Sequence, residues 1–462
     1  MLSARRRWRS PATLTAAVAL AVSLPVVTGA QAVPAIPYEK YTLPNGLEVI
    51  LSEDHSVPLV AVNTWFKVGS GDEVTGRTGF AHLFEHIMFM GSENVPVGKF
   101  DQWLEAAGAN NNGSTNSDRT NYYEWMPSNA LPLALWLDAD RMGRLLPTMD
   151  LAKVDLQRDV VKNERRQSYD NVPYGRAFET ILAALYPASH PYSHSTIGSM
   201  TDLTAASLDD VKNFFRTYYA PNNATLAIVG DFQRDSVKKL VQLYFGDIPR
   251  GPAIPPRPQI TSQPVPRDTF MVLEDKVQLP RLYYAWRGVK AFHPDDAALD
   301  VASYVLAGDK NSRLYKRLVY DMQVAQDVNA FNNSQRLDGG FLITVTPKPG
   351  HTPAEMAKLV NEEIQKLMKD GITDRELARA QNSTRAQFLD RIASDLGKAD
   401  QLNYYNYFVG TPDYAKQDAA RYDKVTAADV KRVTVDYLGK PRVTLTVVPE
   451  GKRDLMVTGV VQ

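Results

Sequence analysis

One pattern of apolar and polar positions occurs twice along the chain. Residues Asp210-Val211-Lys212, Tyr218, Thr225-Leu226 and Val229 recur as Asp429-Val430-Lys431, Tyr437, Thr444-Leu445 and Val448, every pair offset by 219 positions. Upstream, an apolar run opened by Val57-Pro58-Leu59 and reaching Val68 has a counterpart opened by Leu279-Pro280-Arg281 and reaching Val289, at an offset of 222. Runs of this length and apolar density read as strands. Helices are predicted around 207–219 and 426–438, each followed by a β-rich segment, at 224–229 and 442–448. Ser207 and Thr426 stand where N-caps belong, with Asp210 and Asp429 three residues later. A plan used twice implies two similar domains.

Between the repeats runs Ile248-Pro249-Arg250-Gly251-Pro252-Ala253-Ile254-Pro255-Pro256-Arg257-Pro258, with Pro264 and Pro266 beyond. Proline at this density sustains neither a helix nor a central strand, so the segment reads as a stiff, extended linker. The expected layout is therefore 33–247, a linker over 248–267, and 268–462. Strands followed by runs of helices, twice over, give an α+β fold class.

The first 32 residues fall outside this plan. Arg5, Arg6, Arg7 and Arg9 precede a mostly apolar stretch over 13–28, and Ala30-Gln31-Ala32 is a small-x-small site. That is the layout of a secretory signal peptide, which points to the periplasm. No other stretch reaches 18 apolar residues, so no membrane span is expected in the mature chain. Without this segment, 48 basic side chains face 52 acidic ones, and no nucleic-acid footprint is expected. The absence of cysteine rules out disulfides, thiolate metal sites and a cysteine nucleophile.

The candidate chemistry lies in residues 79–91, Gly-Phe-Ala-His-Leu-Phe-Glu-His-Ile-Met-Phe-Met-Gly. On a helix, His82 and His86 are one turn apart and project from one face, and Glu85 shares that face. Two neutral imidazoles with a neighbouring carboxylate suit a catalytic zinc. The rings bind the ion, and the carboxylate accepts a proton from a water whose pKa the ion lowers from ~16 toward ~7. The chain has seven histidines, and leaving two of them and a glutamate in an apolar helical turn without a common partner would cost several kcal/mol. A third protein ligand must come from elsewhere. Glu164 is a candidate, on a charged helix with Val160 and Val161 on the same side; its position alone does not single it out.

His-Leu-Phe-Glu-His is the inverted zinc-protease signature. With Glu164 following His86 by 78 positions, the chain resembles the pitrilysin (M16) metallopeptidases, most closely the short bacterial subfamily related to mitochondrial processing peptidase. The likeness runs from about Tyr38 to the C-terminus. It includes Leu43-Pro44-Asn45-Gly46-Leu47, Asn112-Gly113-Ser114-Thr115 with Asp118-Arg119-Thr120-Asn121-Tyr122, and His190-Pro191-Tyr192 with Thr196-Ile197-Gly198.

The resemblance implies one Zn²⁺ bound by His82, His86 and Glu164, with Glu85 as general base. It implies that the 110–116 segment, with Asn111, Asn112, Gly113, Ser114 and Thr115, is an edge strand to which a peptide adds as a further strand. It implies two α+β domains of the M16/LuxS-like type, each a mostly antiparallel sheet flanked by helices, and pairs of such chains closing like a clamshell around a chamber. Two departures stand out. Gln157 occupies the position where many relatives carry a second glutamate that tunes the metal. Within Ser312–Gln326, Val319 and Gln326 fall where active clamshells need an arginine and a tyrosine in a half without the metal; Arg317 and Tyr320 are out of register. The second half also lacks the metal motif, since His82 and His86 map onto Tyr304 and Gly308. These features suggest the zinc-bearing subunit of a peptidase whose paralogous partner, without zinc ligands, supplies the arginine/tyrosine pair. A homodimer using Arg313 or Arg317, and a non-catalytic core subunit of the same fold, are the alternatives.

Overall fold

The computed structural model describes residues 33–459; the expected signal peptide, 1–32, lies outside the described residues. Two sheets organise the chain. The first is built from β1 (Glu39–Thr42), β2 (Glu48–Glu53), β3 (Leu59–Phe66), β4 (Asn110–Thr115), β5 (Thr120–Pro127) and β6 (Ala224–Gly230) in the order β1-β2-β6-β3-β5-β4. The second is built from β7 (Thr269–Asp275), β8 (Arg281–Arg287), β9 (Ala325–Ser334), β10 (Gly339–Pro347) and β11 (Val443–Pro449) in the order β7-β11-β8-β10-β9. Each sheet has one parallel pair, β2 with β6 and β7 with β11, and is otherwise antiparallel. The fold is α+β, and the two halves share one topology apart from β1.

The repeated helices form as their capping residues dictate. Ser207 and Asp210 make a capping box at the start of Leu208–Tyr218, and Thr426 and Asp429 make one at the start of Ala427–Val433. Residues 251–265 of the proline-rich segment contain no helix or strand. Gly251 N donates to Asn222 Oδ1 (2.8 Å) and Asn222 Nδ2 donates to Pro252 O (2.9 Å), tying its start to the first half.

Both faces of both sheets are apolar, which a single layer of helices cannot cover. On one face of the first sheet, Val60, Val62, Phe66, Leu226 and Ile228 join the main core with the helices of that half. On its other face, Ile50, Ala227 and Val229 pack against Ala399 and Leu402, which lie on the helix Asp395–Val409 of the second half. The second sheet mirrors this. Leu282, Tyr284 and Trp286 face their own helices, while Tyr283, Ala285, Val443 and Leu445 pack against Ala177, Ile181 and Leu185 on the helix Ala177–Leu185 of the first half. The halves have exchanged equivalent helices, because those two helices also occupy matching places in the repeat.

The exchange predicts that residues 33–247 produced alone expose the Ile50/Ala227/Val229 face and fail to form a monomeric native state. Size exclusion should show aggregation and near-UV circular dichroism should lack fixed aromatic signals. Co-expression with residues 248–462 should restore both. A soluble, cooperatively melting 33–247 fragment would contradict this account.

Candidate metal centre

The helix Phe80–Ile87 buries Phe80, Ala81, Leu83, Phe84 and Ile87. Phe84 stacks on Phe214 with ring centres 5.3 Å apart, and Tyr122 donates its hydroxyl to Phe84 O at 3.2 Å. With that side fixed, His82, Glu85 and His86 emerge from the opposite side. The helix starts at Gly79, whose φ is +92° and whose missing side chain leaves room for Ile197 O and Gly198 Cα; a Cβ there would lie 2.8 Å and 3.1 Å from them. A glycine cannot cap a helix with its side chain. Glu73 does so instead: its Oε2 accepts from Gly79 N (2.9 Å) and its Oε1 from Ala81 N (2.8 Å). The Glu73 side chain is fully buried, and burial pushes its carboxyl well above the usual range, against the two amide hydrogen bonds.

The three ligand candidates converge. His82 Nε2 and His86 Nε2 are 3.4 Å apart, and Glu164 Oε2 lies 3.5 Å from the first and 3.3 Å from the second. Bonds of 2.0–2.2 Å to a tetrahedral ion imply ligand-to-ligand edges of about 3.3–3.6 Å. All three separations match. The donor set, two imidazole nitrogens and one carboxylate oxygen, is that of a catalytic zinc with a fourth position open. Burial pushes His82 down to about 4, so its ring is neutral near pH 7, as a metal ligand must be. The His86 contact holds the Glu164 carboxyl below its usual range. His82 Nδ1 is buried without a hydrogen-bond partner among the described residues, so no hydrogen bond at that nitrogen helps to orient the ring. No other group of three such side chains is close enough to hold an ion among the described residues.

Glu164 lies at the end of the helix Leu151–Arg165, which the Asp150 carboxylate caps through Lys153 N. Val160 and Val161 do not share a side, contrary to the sequence expectation. Val161 is buried and Val160 is exposed, since consecutive helical residues point about 100° apart. Gln157 departs from its expected role too: its amide donates to Met90 Sδ at 2.7 Å, and no hydrogen bond joins it to His82, His86 or Glu164 among the described residues.

Glu85 faces β4, the outermost strand of the first sheet. Thr115 Oγ1 donates to Glu85 Oε2 at 2.6 Å, and a Cβ at Gly113 would lie 3.0 Å from Glu85 Cγ. Burial raises the Glu85 carboxyl, with the Thr115 hydrogen bond acting the other way. Asn116 N donates to Arg119 O, which fixes the ladder alternation. The backbone N–H and C=O of Asn111, Gly113 and Thr115 therefore point away from β5, toward the open edge. Asn112 Oδ1 accepts from Gly113 N (2.8 Å). Ser114 Oγ donates instead to Asn121 Oδ1 (2.7 Å), on the sheet face away from Glu85.

The second half preserves the frame without the ligands. Tyr304, matching His82, donates to Asp309 Oδ2 at 2.8 Å, and the Arg379 guanidinium lies 6.0 Å from its ring. Ser383 stands at an offset of 219 from Glu164, and its hydroxyl accepts from Gln387 Nε2 at 3.2 Å. Val319 packs against the second core and Gln326 is exposed. Arg313 is held by Glu376 (2.7 Å), and Arg317 by Glu362 and by Glu363 (2.7 Å), so both guanidiniums suggested for a homodimer are already engaged within the chain.

Comparison with known proteins agrees with this geometry. Residues 48–198 match the family model described as insulinase (peptidase family M16), and residues 205–384 match the peptidase M16 inactive domain. The chain belongs to peptidase family M16. It is 31% identical to the zinc protease PqqE of Helicobacter pylori over 408 residues, covering 87% of this chain and 90% of that one. It is 25% identical to a probable mitochondrial-processing peptidase subunit beta of Arabidopsis thaliana, covering 86% and 75%. The crystal structure of a protease from Helicobacter pylori superposes with a TM-score of 0.83 at 27% identity, over 90% of this chain and all of that one. A peptidase M16 inactive domain from Pseudomonas fluorescens, at 21% identity and a TM-score of 0.80, shares the fold over 89% of this chain and 98% of that one.

Glu73 is the functional residue that sequence reasoning missed. Its signal was indirect: the helix opens on glycine, and the neighbouring Thr78 hydroxyl donates to Asp202 and accepts from Ser199 N rather than capping the helix start. Glu73→Ala should loosen the start of the helix and weaken metal affinity by roughly 10–100-fold. Zinc titration against a competing chelator reads this directly, and an unchanged affinity would remove Glu73 from the site.

Proposed function

We propose that this M16 chain is a zinc-dependent endopeptidase acting on unfolded peptides or short extended segments. The observation that carries this reading is the convergence of His82, His86 and Glu164, with Glu85 beside them against the edge strand. Zinc held there would polarise the scissile carbonyl and make a neighbouring water acidic enough to lose its proton near neutral pH.

The rest of the work falls to the chain's own side chains. Glu85 takes the proton from water and hands it to the leaving amine. Thr115 fixes one oxygen of Glu85 and leaves the other free for this transfer. Strand β4 offers the outward C=O groups of Asn111, Gly113 and Thr115 and the N–H groups of Asn111 and Thr115 to an extended peptide; the Gly113 N–H is taken by Asn112 Oδ1. Main-chain hydrogen bonds then supply affinity with little dependence on sequence. Gly113 lets the strand and the base approach closely.

Activity requires a partner on this reading. With Val319 and Gln326 where an arginine and a tyrosine are needed, a paralogous subunit without zinc ligands completes the site, and donors from that subunit stabilise the developing oxyanion. The core-subunit alternative is disfavoured because all four chemical positions are filled. The leader at 1–32 suggests that the pair works in the periplasm. No helix among the described residues is long and apolar enough to cross a membrane.

The test is mass spectrometry of a peptide library incubated with the chain lacking its first 32 residues, with and without a candidate partner and a chelator. New termini should appear only with zinc, and mainly with the partner. Full activity of the chain alone would remove the partner requirement. Glu85→Gln should keep its zinc and lose about 10²–10⁴-fold in turnover; substantial residual hydrolysis would refute the assigned base. Gly113→Ala should push Glu85 off its position and cost about 10²-fold with metal content unchanged.

A further inference from the structure

Strand β4 has a single strand neighbour, so the turn that joins it to β5 decides where it lies. That turn is gripped from several sides. Ser70 N donates to Asn116 O (3.0 Å) and Gly71 N to Ser117 O (2.8 Å). Asp118, only 4% exposed, spends its whole carboxylate there. Its Oδ1 accepts the Tyr192 hydroxyl proton, and its Oδ2 accepts from Arg336 N at 3.0 Å. The same Tyr192 hydroxyl oxygen accepts from Leu337 N at 3.0 Å. Asp118 O accepts from Tyr407 Oη (2.9 Å) and from Arg257 Nη2 (3.2 Å).

These partners share an origin. Arg336 and Leu337 form the turn between β9 and β10, Tyr407 lies on the exchanged helix Asp395–Val409, and Arg257 lies in the proline-rich segment. Tyr192, from the first half, bridges the two turns with one hydroxyl. At the other end of the linkage, three residues before Asp118, stands Thr115, which holds Glu85.

We propose that Asp118 and Tyr192 are positioning residues through which the metal-free half sets the presentation of β4 to an extended peptide. The proposal rests on the reading of β4 as the peptide-docking strand. The second half, on this view, is part of the peptide-binding machinery although none of its side chains lies among the metal ligands. A buried hydroxyl bridging two turns holds strand height and register tightly. Removing it leaves Tyr192 packed in place but frees the turn.

The test separates positioning from general stability and from the underlying reading. The zinc-loaded full chain carrying Glu85→Gln is titrated with fluorescein-labelled oxidised insulin B chain, followed by anisotropy. Adding Tyr192→Phe should weaken binding by about 5–10-fold, the loss of one hydrogen bond's worth of preorganisation. The melting temperature should stay within about 2 °C and zinc stoichiometry at one. Asp118→Asn must present an amide N–H to either Tyr192 or Arg336 N, and should weaken binding at least as much. With the active chain and its partner, the same substitutions should raise KM and leave kcat nearly unchanged.

Unchanged affinity in Tyr192→Phe overturns the proposal, as does a loss of affinity that merely follows lost zinc or a lower melting temperature. The reading of β4 is tested separately by Asn111→Pro, which removes one outward N–H. If that variant binds like its parent, or if the parent does not bind at all, the strand reading fails and the positioning role falls with it. If Asn111→Pro weakens binding and Tyr192→Phe does not, only the positioning role is lost.

Discussion

Each sheet in this protein is apolar on both faces, and each half of the chain covers only one face with its own helices. The structure resolves this by exchange. The helix Ala177–Leu185 covers the second sheet and the helix Asp395–Val409 covers the first. Burying a large aliphatic side chain is worth roughly 1.5–3 kcal/mol, so a face carrying Ile50 and Val229, or Val443 and Leu445, cannot be left to water. The two halves consequently form one folding problem, and their relative placement is fixed by core packing, with the proline-rich segment a connector between them.

Within the first half the chemistry makes a placement demand of its own. Three donor atoms from two distant helices must meet within a few tenths of an ångström of a tetrahedral edge. The His helix is pinned on its apolar side by Phe84 and Tyr122 and at its start by Glu73. Glu164 comes from a helix tied to the loop at Gly198 through Arg165 Nη1, which donates to Gly198 O at 2.8 Å. Gly198 in turn touches Gly79, where the His helix begins. One backbone contact between two glycines therefore links the positions of both ligand-bearing helices.

Much of this was legible in the sequence, for identifiable reasons. The spacing of His82, Glu85 and His86 fixes their common side whatever surrounds them. The offset repeat gave the matching capping boxes and strands, because both are local signals. Glu73 and the helix exchange were not legible. The carboxylate of Glu73 acts through space on a helix start seven residues on, and Ala399 and Leu402 look like an ordinary buried stripe until their partner sheet is known. The side of the Glu164 helix was misread at Val160 because two adjacent valines cannot both face one core. The role expected of Gln157 failed on contact: its amide reaches a methionine sulfur.

The second half retains the helix pair, the sheet and the edge strand that in the first half frame the candidate metal site, with Tyr304 in place of His82 bonded to Asp309, Gly308 in place of His86 and Ser383 in place of Glu164. The frame is therefore self-sufficient, and the ion is a tenant rather than a pillar. A duplicated gene of this design can surrender its ion by a handful of substitutions and still yield a well-packed subunit, which is the raw material from which an unequal pair arises.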